Sequence, residues 1–520
     1  MNKNRRYSDA IPTIIAALWL AVFPFWLLGE KNALAALDSG EVPVLQALLD
    51  MTLQNYSNLT RAKWDGMIVL TALTVLGVLV WRLVRRQPLH MTVPLGIALA
   101  YGAWLCLSAR FGTWADSVNA RHVSAVIWGA ERYEGLITLV CYVLIFLSLN
   151  QLSVRPSWVL SACSISVAVY VLIVLMQYAG LNPLDLFPNG RSIRTNYEFQ
   201  GTLGNIDMVS AWLCLMVPGL LGSFVLGKEY WQIHLTGGLL GVLLLLCMEV
   251  QSGLIALGVT LLTLIALAMR RPYCRARTAL TIGMVLLLAA LRKSVLLPWL
   301  DGSENIALTA SASALFLLLT GMLAMGASVL LRRHPLTEVK WKWLIALTCS
   351  VLAIALLLVY ILPTAEGSWL WELQETLHGR AQDSFGSERL GVWRMTLDLC
   401  TRSPWFGTGP DTFYYAFRSY LTETGQQLTQ NFDNPHNLLL QTAVNCGIPA
   451  ALLLLALCWA AVHHARKHGG LLWALMAVGF LTQSMFTFSI CLVSPMLYCM
   501  LGLCCTEAGY TSAAKIKMNE

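Results

Sequence analysis

The chain has 520 residues, 57% of them hydrophobic and only 12% charged, with a formal net charge of +7. An ordinary soluble domain carries about a quarter charged residues, so a soluble enzyme, a disordered chain and a secreted disulfide scaffold are excluded, and the mean hydropathy of +0.63 points to a membrane. The positive charge does not signal nucleic acid, because no basic stripe interleaved with aromatics accompanies it.

Apolar runs long enough to cross about 30 Å of hydrocarbon predict helices near 11–28, 66–84, 93–109, 134–150, 158–178, 206–226, 233–248, 252–269, 278–291, 308–331, 343–362, 438–463, 471–489 and 492–506. The first run follows Asn2-Lys3-Asn4-Arg5-Arg6 and resembles a signal peptide. No small-residue cleavage site comes after it and many further spans do, which predicts a retained signal-anchor. The expected fold class is all-α: a polytopic integral membrane protein of about 12–14 transmembrane helices, with one large external loop containing short amphipathic helices. The expected divisions are residues 1–362, carrying the N-terminal helices and an external loop 179–205, then the external loop 363–437, then the C-terminal helices and tail 438–520.

Loop charges test that count, because an error of one helix scrambles their alternation. With the N-terminus in the cytoplasm, the inside segments hold twenty cations against five acids, and the outside segments hold fifteen cations against twenty-three acids. Lys and Arg bias therefore places both termini in the cytoplasm. Most of the fourteen Cys lie within apolar runs (Cys106, Cys141, Cys163, Cys214, Cys247, Cys349, Cys458) and read as small buried hydrophobes rather than metal ligands. Intramembrane charge is scarce, and no repeat of fixed period supports a secondary transporter.

The polar chemistry gathers in the outside loops. The segment 363–437 exceeds the length of a plain connector and is rich in aromatics. Within it, Ser387-Glu388 opens an amphipathic helix over 388–400, where Arg389 and Trp393 share a face and Arg394 points about 100° away. Pro404-Trp405-Phe406-Gly407-Thr408-Gly409-Pro410-Asp411 follows. Such a turn either presents free N–H groups to an anion or, more commonly, joins two helices, with Asp411 at a helix start. Asn434-Pro435-His436-Asn437 stands where the chain re-enters the membrane, and Gly447-Ile448-Pro449 comes after it. A lone His at a helix start is more often a structural hydrogen bonder; an outer face shared with Arg191, Arg194, Arg389 and Arg394 favours a chemical role.

Arg389-x-x-x-Trp393, Pro404-x-x-Gly407-x-Gly409, and His436-Asn437 followed by Gly447 resemble the C-terminal signature of the O-antigen ligase and O-antigen polymerase superfamily. Gly201-Thr202-Leu203-Gly204-Asn205 resembles that family's upstream motif, with Ile206-Asp207 where Pro-Asn is usual. Gln251-Ser252-Gly253 stands where relatives often show Ser-Arg-Gly, which leaves any phosphate-binding role of that arginine to Arg191 or Arg194.

The resemblance implies a glycosyltransferase of the bacterial cytoplasmic (inner) membrane. Its donor is an undecaprenyl pyrophosphate-linked glycan, its acceptor the hydroxyl of a glycan, lipid or protein, and membrane lipids surround it. The resemblance implies His436 as general base and Arg389, also catalytic, together with Arg194 as the arginines that bind and stabilise the departing pyrophosphate, with Arg191 and Arg394 as second choices, since a fork of donors suits that anion. Trp393, Gly407, Gly409, Asn437 and Glu388 are expected to support them, with Glu388 or Asp383 orienting an arginine or the acceptor. No metal or cofactor is called for, and direct displacement inverts the anomeric centre. A repeat-unit polymerase uses the same motifs; a lipid-linked glycan transporter or an envelope assembly factor is the non-enzymatic alternative.

Overall fold

A computed structural model describes residues 10–29, 52–53, 59–89, 91–113, 125–130, 132–179, 181, 184, 186, 200–296, 312–333, 350, 353 and 356–506. In chain order these form α1 (Ala10–Ala17, continued by a π turn and a 3-10 turn to Phe25), α2 (Leu59–Arg85), α3 (Val93–Phe111), α4 (Leu136–Leu149), α5 (Pro156–Tyr178), α6 (Ile206–Val225), α7 (Trp231–Met248), α8 (Gln251–Arg270), α9 (Arg275–Leu291) and α10 (Ala312–Arg333). The long connection carries α11 (Trp369–Leu377), α12 (Arg389–Arg402) and α13 (Phe413–Thr424); α14 (Leu438–Cys446), α15 (Ile448–Lys467), α16 (Leu471–Ser484) and α17 (Ser494–Cys504) follow it. Among the described residues nine helices are long and apolar enough to cross a membrane, and four shorter apolar helices accompany them. The protein is therefore an all-helical polytopic membrane protein, and its one strand pairing among the described residues joins only Leu28–Gly29 to Thr52–Leu53.

The run predicted at 343–362 lies mostly outside the described residues, apart from a helical stretch at 356–361. The run 438–463 is not one helix. It divides at Gly447, whose φ of +89° belongs to the left-handed region, and Pro449 at the start of α15 has no N–H to continue the ladder. Apolar periodicity carries on across this break because both halves bury a face, which is why composition alone reads through it.

The core centres on α6, where every residue from Met208 to Val225 is buried. Pro218 inside it donates no hydrogen bond to the Cys214 carbonyl. Gly479 of α16 approaches that carbonyl so closely that a side chain there would overlap it. At the other extreme α10 packs along α9 and leaves Phe316, Leu323 and Leu330 exposed, the pattern of a lipid-facing helix. Cys106 of α3 is likewise exposed rather than buried, because it sits on the outward stripe of its helix.

Contacts between distant segments respect the predicted alternation. Arg82 reaches the Gln151 carbonyl, His234 the Ser157 carbonyl and Arg277 the Phe224 carbonyl at one end of the bundle. At the other, Asp411 meets the 130–134 segment, Trp393 meets Pro435 and Asn437 meets Met485. Each pair joins segments that the charge count puts on the same side.

Helix α2 begins at Leu59 rather than 66, so that it takes in three charges that the sequence places ahead of the apolar run. Arg61, Lys63 and Asp65 are buried in its first two turns. Lys63 donates to the carbonyls of Pro24 at 2.7 Å and Trp26 at 2.5 Å, where α1 unwinds and leaves its last carbonyls without helical partners. Arg61 pairs with Asp65 one turn on and lies 4.5 Å over the Trp64 ring. Charges that read as loop are helical here because each finds its partner inside the protein.

Candidate active site

The His436 turn is built from the preceding three residues. Asn434 accepts the His436 N–H on its side-chain oxygen at 3.1 Å, a local turn that supports the left-handed φ of +49° at His436. The imidazole stands edge-on between Phe432 and Phe488, with ring centroids 5.8 and 5.2 Å away. Its Nδ1 lies 3.3 Å from the Asn434 carbonyl. A carbonyl only accepts, so Nδ1 carries the proton and the lone pair is left on Nε2, which has no protein partner among the described residues. Burial, then the charge of Arg389, holds this imidazole below its ordinary value, while the carbonyl of Asn434 and the carboxylates of Asp207 and Asp433 pull the other way.

The turn is held on three sides. Trp393 of α12 donates its indole N–H to the Pro435 carbonyl at 2.7 Å. Asn437 accepts the N–H groups of Leu439 and Leu440, capping α14, and donates to the Met485 carbonyl at 3.0 Å. Gln441 and Ser489 exchange a pair of hydrogen bonds one turn later.

Helix α12 starts at Arg389 as the spacing predicts, but not with the expected cap. Ser387 and Glu388 both have positive φ, and the Glu388 carboxylate turns away to accept from the N–H groups of Thr429 and Gln430, tying α12 to the segment before His436. The two arginines of α12 separate. Arg394 is exposed and paired with Asp383. Arg389, half-buried on the Trp393 face, has no carboxylate partner among the described residues, and its field reaches His436.

The Gly-x-Gly turn is a clasp rather than an anion cradle. The N–H of Gly407 donates to Ser403, that of Thr408 to Val444 and that of Gly409 to Asn445, so no donor of the turn is free. Gly407, with φ +66°, packs its backbone against Asn445, where a Cβ would come within 2.6 Å of the carbonyl, and a Cβ on Gly447 would overlap the Trp405 carbonyl oxygen. Ser108 of α3 donates to the Phe406 carbonyl at 2.7 Å and completes the joint. Asp411 is not a helix cap either. Its carboxylate accepts from Ala130 at 2.6 Å and Glu134 at 3.2 Å, and desolvation pushes it up to about 7 against those two bonds.

Three charged groups near His436 escape a reading of the sequence. Asp207 stands at the start of α6, whose cap Asn205 accepts from the N–H groups of Asp207 and Met208, so the upstream Gly-Thr-Leu-Gly-Asn segment and the His436 turn converge from more than 200 residues apart. Asp433 and Arg132 form an ion pair, and Arg132 also lies 4.7 Å over the Phe488 ring. The only available signal for Arg132 was a charge close to the start of an apolar run. Arg191 and Arg194 lie outside the described residues. Among the residues that are described, no group of three or more His, Cys, Asp or Glu is placed to hold a metal ion.

A helical bundle with a half-buried cation and a histidine at one polar end defines a polytopic membrane protein with a surface site. Residues 302–455 match the family model described as O-Antigen ligase, 154 of the 520 residues, and that stretch contains α12, the clasp and His436. The match supports the O-antigen ligase and polymerase superfamily and an activity of that kind. No curated protein matches the chain.

Proposed function

We propose that the protein transfers a glycan from a polyprenyl pyrophosphate, undecaprenyl pyrophosphate by resemblance, to an acceptor hydroxyl at the outer surface of the cytoplasmic membrane, in the manner of a ligase. The observation that carries this reading is the pairing of a half-buried Arg389, without a carboxylate partner among the described residues, with a histidine whose lone pair on Nε2 has no partner among them either, inside the stretch matched to the family. His436 Nε2 takes the acceptor proton as the oxygen attacks the anomeric carbon. The glycosidic oxygen leaves with the lipid pyrophosphate, whose charge Arg389 stabilises, joined by Arg191 and Arg194. Attack opposite the leaving group inverts the anomeric configuration, and no step calls for a metal. A histidine held below its ordinary value remains an unprotonated base at neutral pH, which suits this role.

The test uses the purified protein with a lipid pyrophosphate-linked glycan and an added acceptor, without nucleotide and with a chelator present. Transfer is expected; none with any acceptor class overturns the enzymatic reading in favour of transport or assembly. Repeat-unit polymerisation uses the same site, and surface glycans of a deletion strain separate the two. Loss of attachment with intact polymer on the carrier marks a ligase, and loss of polymer length marks a polymerase.

A further inference from the structure

Arg132 has no part in the mechanism above, yet it is joined to His436 by an unbroken set of contacts. Its Nε donates to Asp433 Oδ2. The other oxygen of Asp433 accepts from the Asn434 amide. Asn434, buried to 3% exposure, then holds His436 twice, through the backbone N–H and through Nδ1. On its other side the Arg132 guanidinium lies over Phe488, the ring that forms one wall of the histidine niche. The Arg132 segment is itself fixed, because Asp411 accepts the N–H groups of Ala130 and Glu134 on either side of it, and Glu134 accepts from Tyr142 at 2.6 Å and Ser489 at 3.0 Å.

We propose that Arg132 is a positioning residue for His436, acting through Asp433 and Asn434 to set the turn and through Phe488 to set the wall, while its charge offsets that of Asp433. This rests on the reading of His436 as the general base. The cation does two separable things. It fixes the geometry that leaves Nε2 exposed to an acceptor, and it weakens the negative field of Asp433 at the imidazole. Among the described residues the charged groups that act on His436 are Arg389 from α12, Asp207 from α6 and Asp433 from its own turn; removing Arg132 changes the balance toward the acids.

The experiment compares Arg132→Ala, Arg132→Lys, Asp433→Asn and the Arg132→Ala/Asp433→Asn pair in the full-length protein. Two readouts are followed against pH: kcat/KM for transfer, and the rate at which diethyl pyrocarbonate modifies His436, located by peptide mass spectrometry. Only the neutral imidazole reacts with that reagent. Arg132→Ala should lower transfer about 30-fold at neutral pH, with Arg132→Lys recovering most of it. The acid limb and the labelling midpoint should move up by about half a pH unit in Arg132→Ala and down in Asp433→Asn, and the pair should return toward the parent. Asp433→Asn keeps the shape of the turn, so it reports the charge even where Arg132→Ala fails to fold. Midpoints unmoved in both Asp433→Asn and the folded Arg132 variants overturn the proposal. Labelling needs no turnover, so transfer by His436→Ala, which would sink the base reading, leaves the labelling midpoints able to support or overturn the positioning role of Arg132.

Discussion

Two charged clusters lie close to the same end of the bundle and are built on opposite terms. In the first, Lys63 is fully buried and spends itself on carbonyls left open where α1 unwinds, while Arg61 is matched by Asp65 and two aromatic rings. In the second, Arg389 has no carboxylate partner among the described residues and His436 leaves Nε2 open. Burial of charge is tolerated in the first because the protein itself supplies the counter-groups. In the second, Arg389 finds no carboxylate among the described residues, and on the proposed mechanism a ligand anion and an acceptor proton complete the set. The degree of matching separates the two: the first cluster leaves Arg61 Nη1 as its one buried nitrogen without a hydrogen-bond partner among the described residues, whereas the second leaves Arg389 without a carboxylate and His436 Nε2 open.

Breaking the comparison starts with its most demanding member. His436→Ala should lower transfer about 10³-fold with membrane insertion unchanged; the measurement is product formation by the purified protein, and near-full activity would remove the base from the mechanism. Lys63→Met should do the reverse, leaving the Trp26 carbonyl without its donor while Pro24 keeps the Thr202 hydroxyl, at a cost of about 2 kcal/mol. That loss is read as a lower unfolding temperature in detergent, with transfer by the surviving folded fraction near normal. Arg389→Lys should reduce transfer about 10²-fold, because a point charge does not reproduce the planar fork. Should the Lys variant match the parent, the pyrophosphate role passes to Arg191 and Arg194.

Two smaller effects sharpen the contrast. The acid limb of kcat/KM should lie below pH 6.5, the ordinary value for histidine, since burial and Arg389 lower the His436 value and the neutral imidazole is the active form. A limb above 6.5 would mean that the acids Asp207 and Asp433 dominate instead. Arg394→Ala should change transfer less than about threefold, as expected for an exposed pair with Asp383; a large loss would show that Arg394 leaves Asp383 to meet the donor.

Much of the fold was legible in the apolar runs, and the alternation of loop charges carried the count. The misreadings share one cause. Residues 59–65 look like loop because their charges are visible in the sequence and the partners of those charges are not. The break at Gly447 is hidden because a single φ interrupts an apolar pattern that continues on both sides. In the site, the spacing of Arg389 and Trp393 was enough to put them on one face, and His436 stood out by residue type. For Gly407 and Gly409 the sequence left two readings open, an anion-binding turn and the commoner plain joint, since a glycine needed for close backbone approach is indistinguishable in sequence from one that frees N–H groups for a ligand; the backbone bonds of the turn favour the joint.

The order of residues alone established a polytopic membrane protein, the rough position of most of its described helices, and the family signature that its long connection resembles. These follow from hydrophobicity and local spacing, which are properties of adjacent residues. Only the tertiary structure decided which charges are matched. Arg394 is paired with Asp383, whereas Arg389 has no carboxylate partner among the described residues; Asp207 and Arg132 reach the His436 turn from segments more than 200 residues away. Electrostatic partnership depends on distance through space and on burial, and neither is written in the order of the chain.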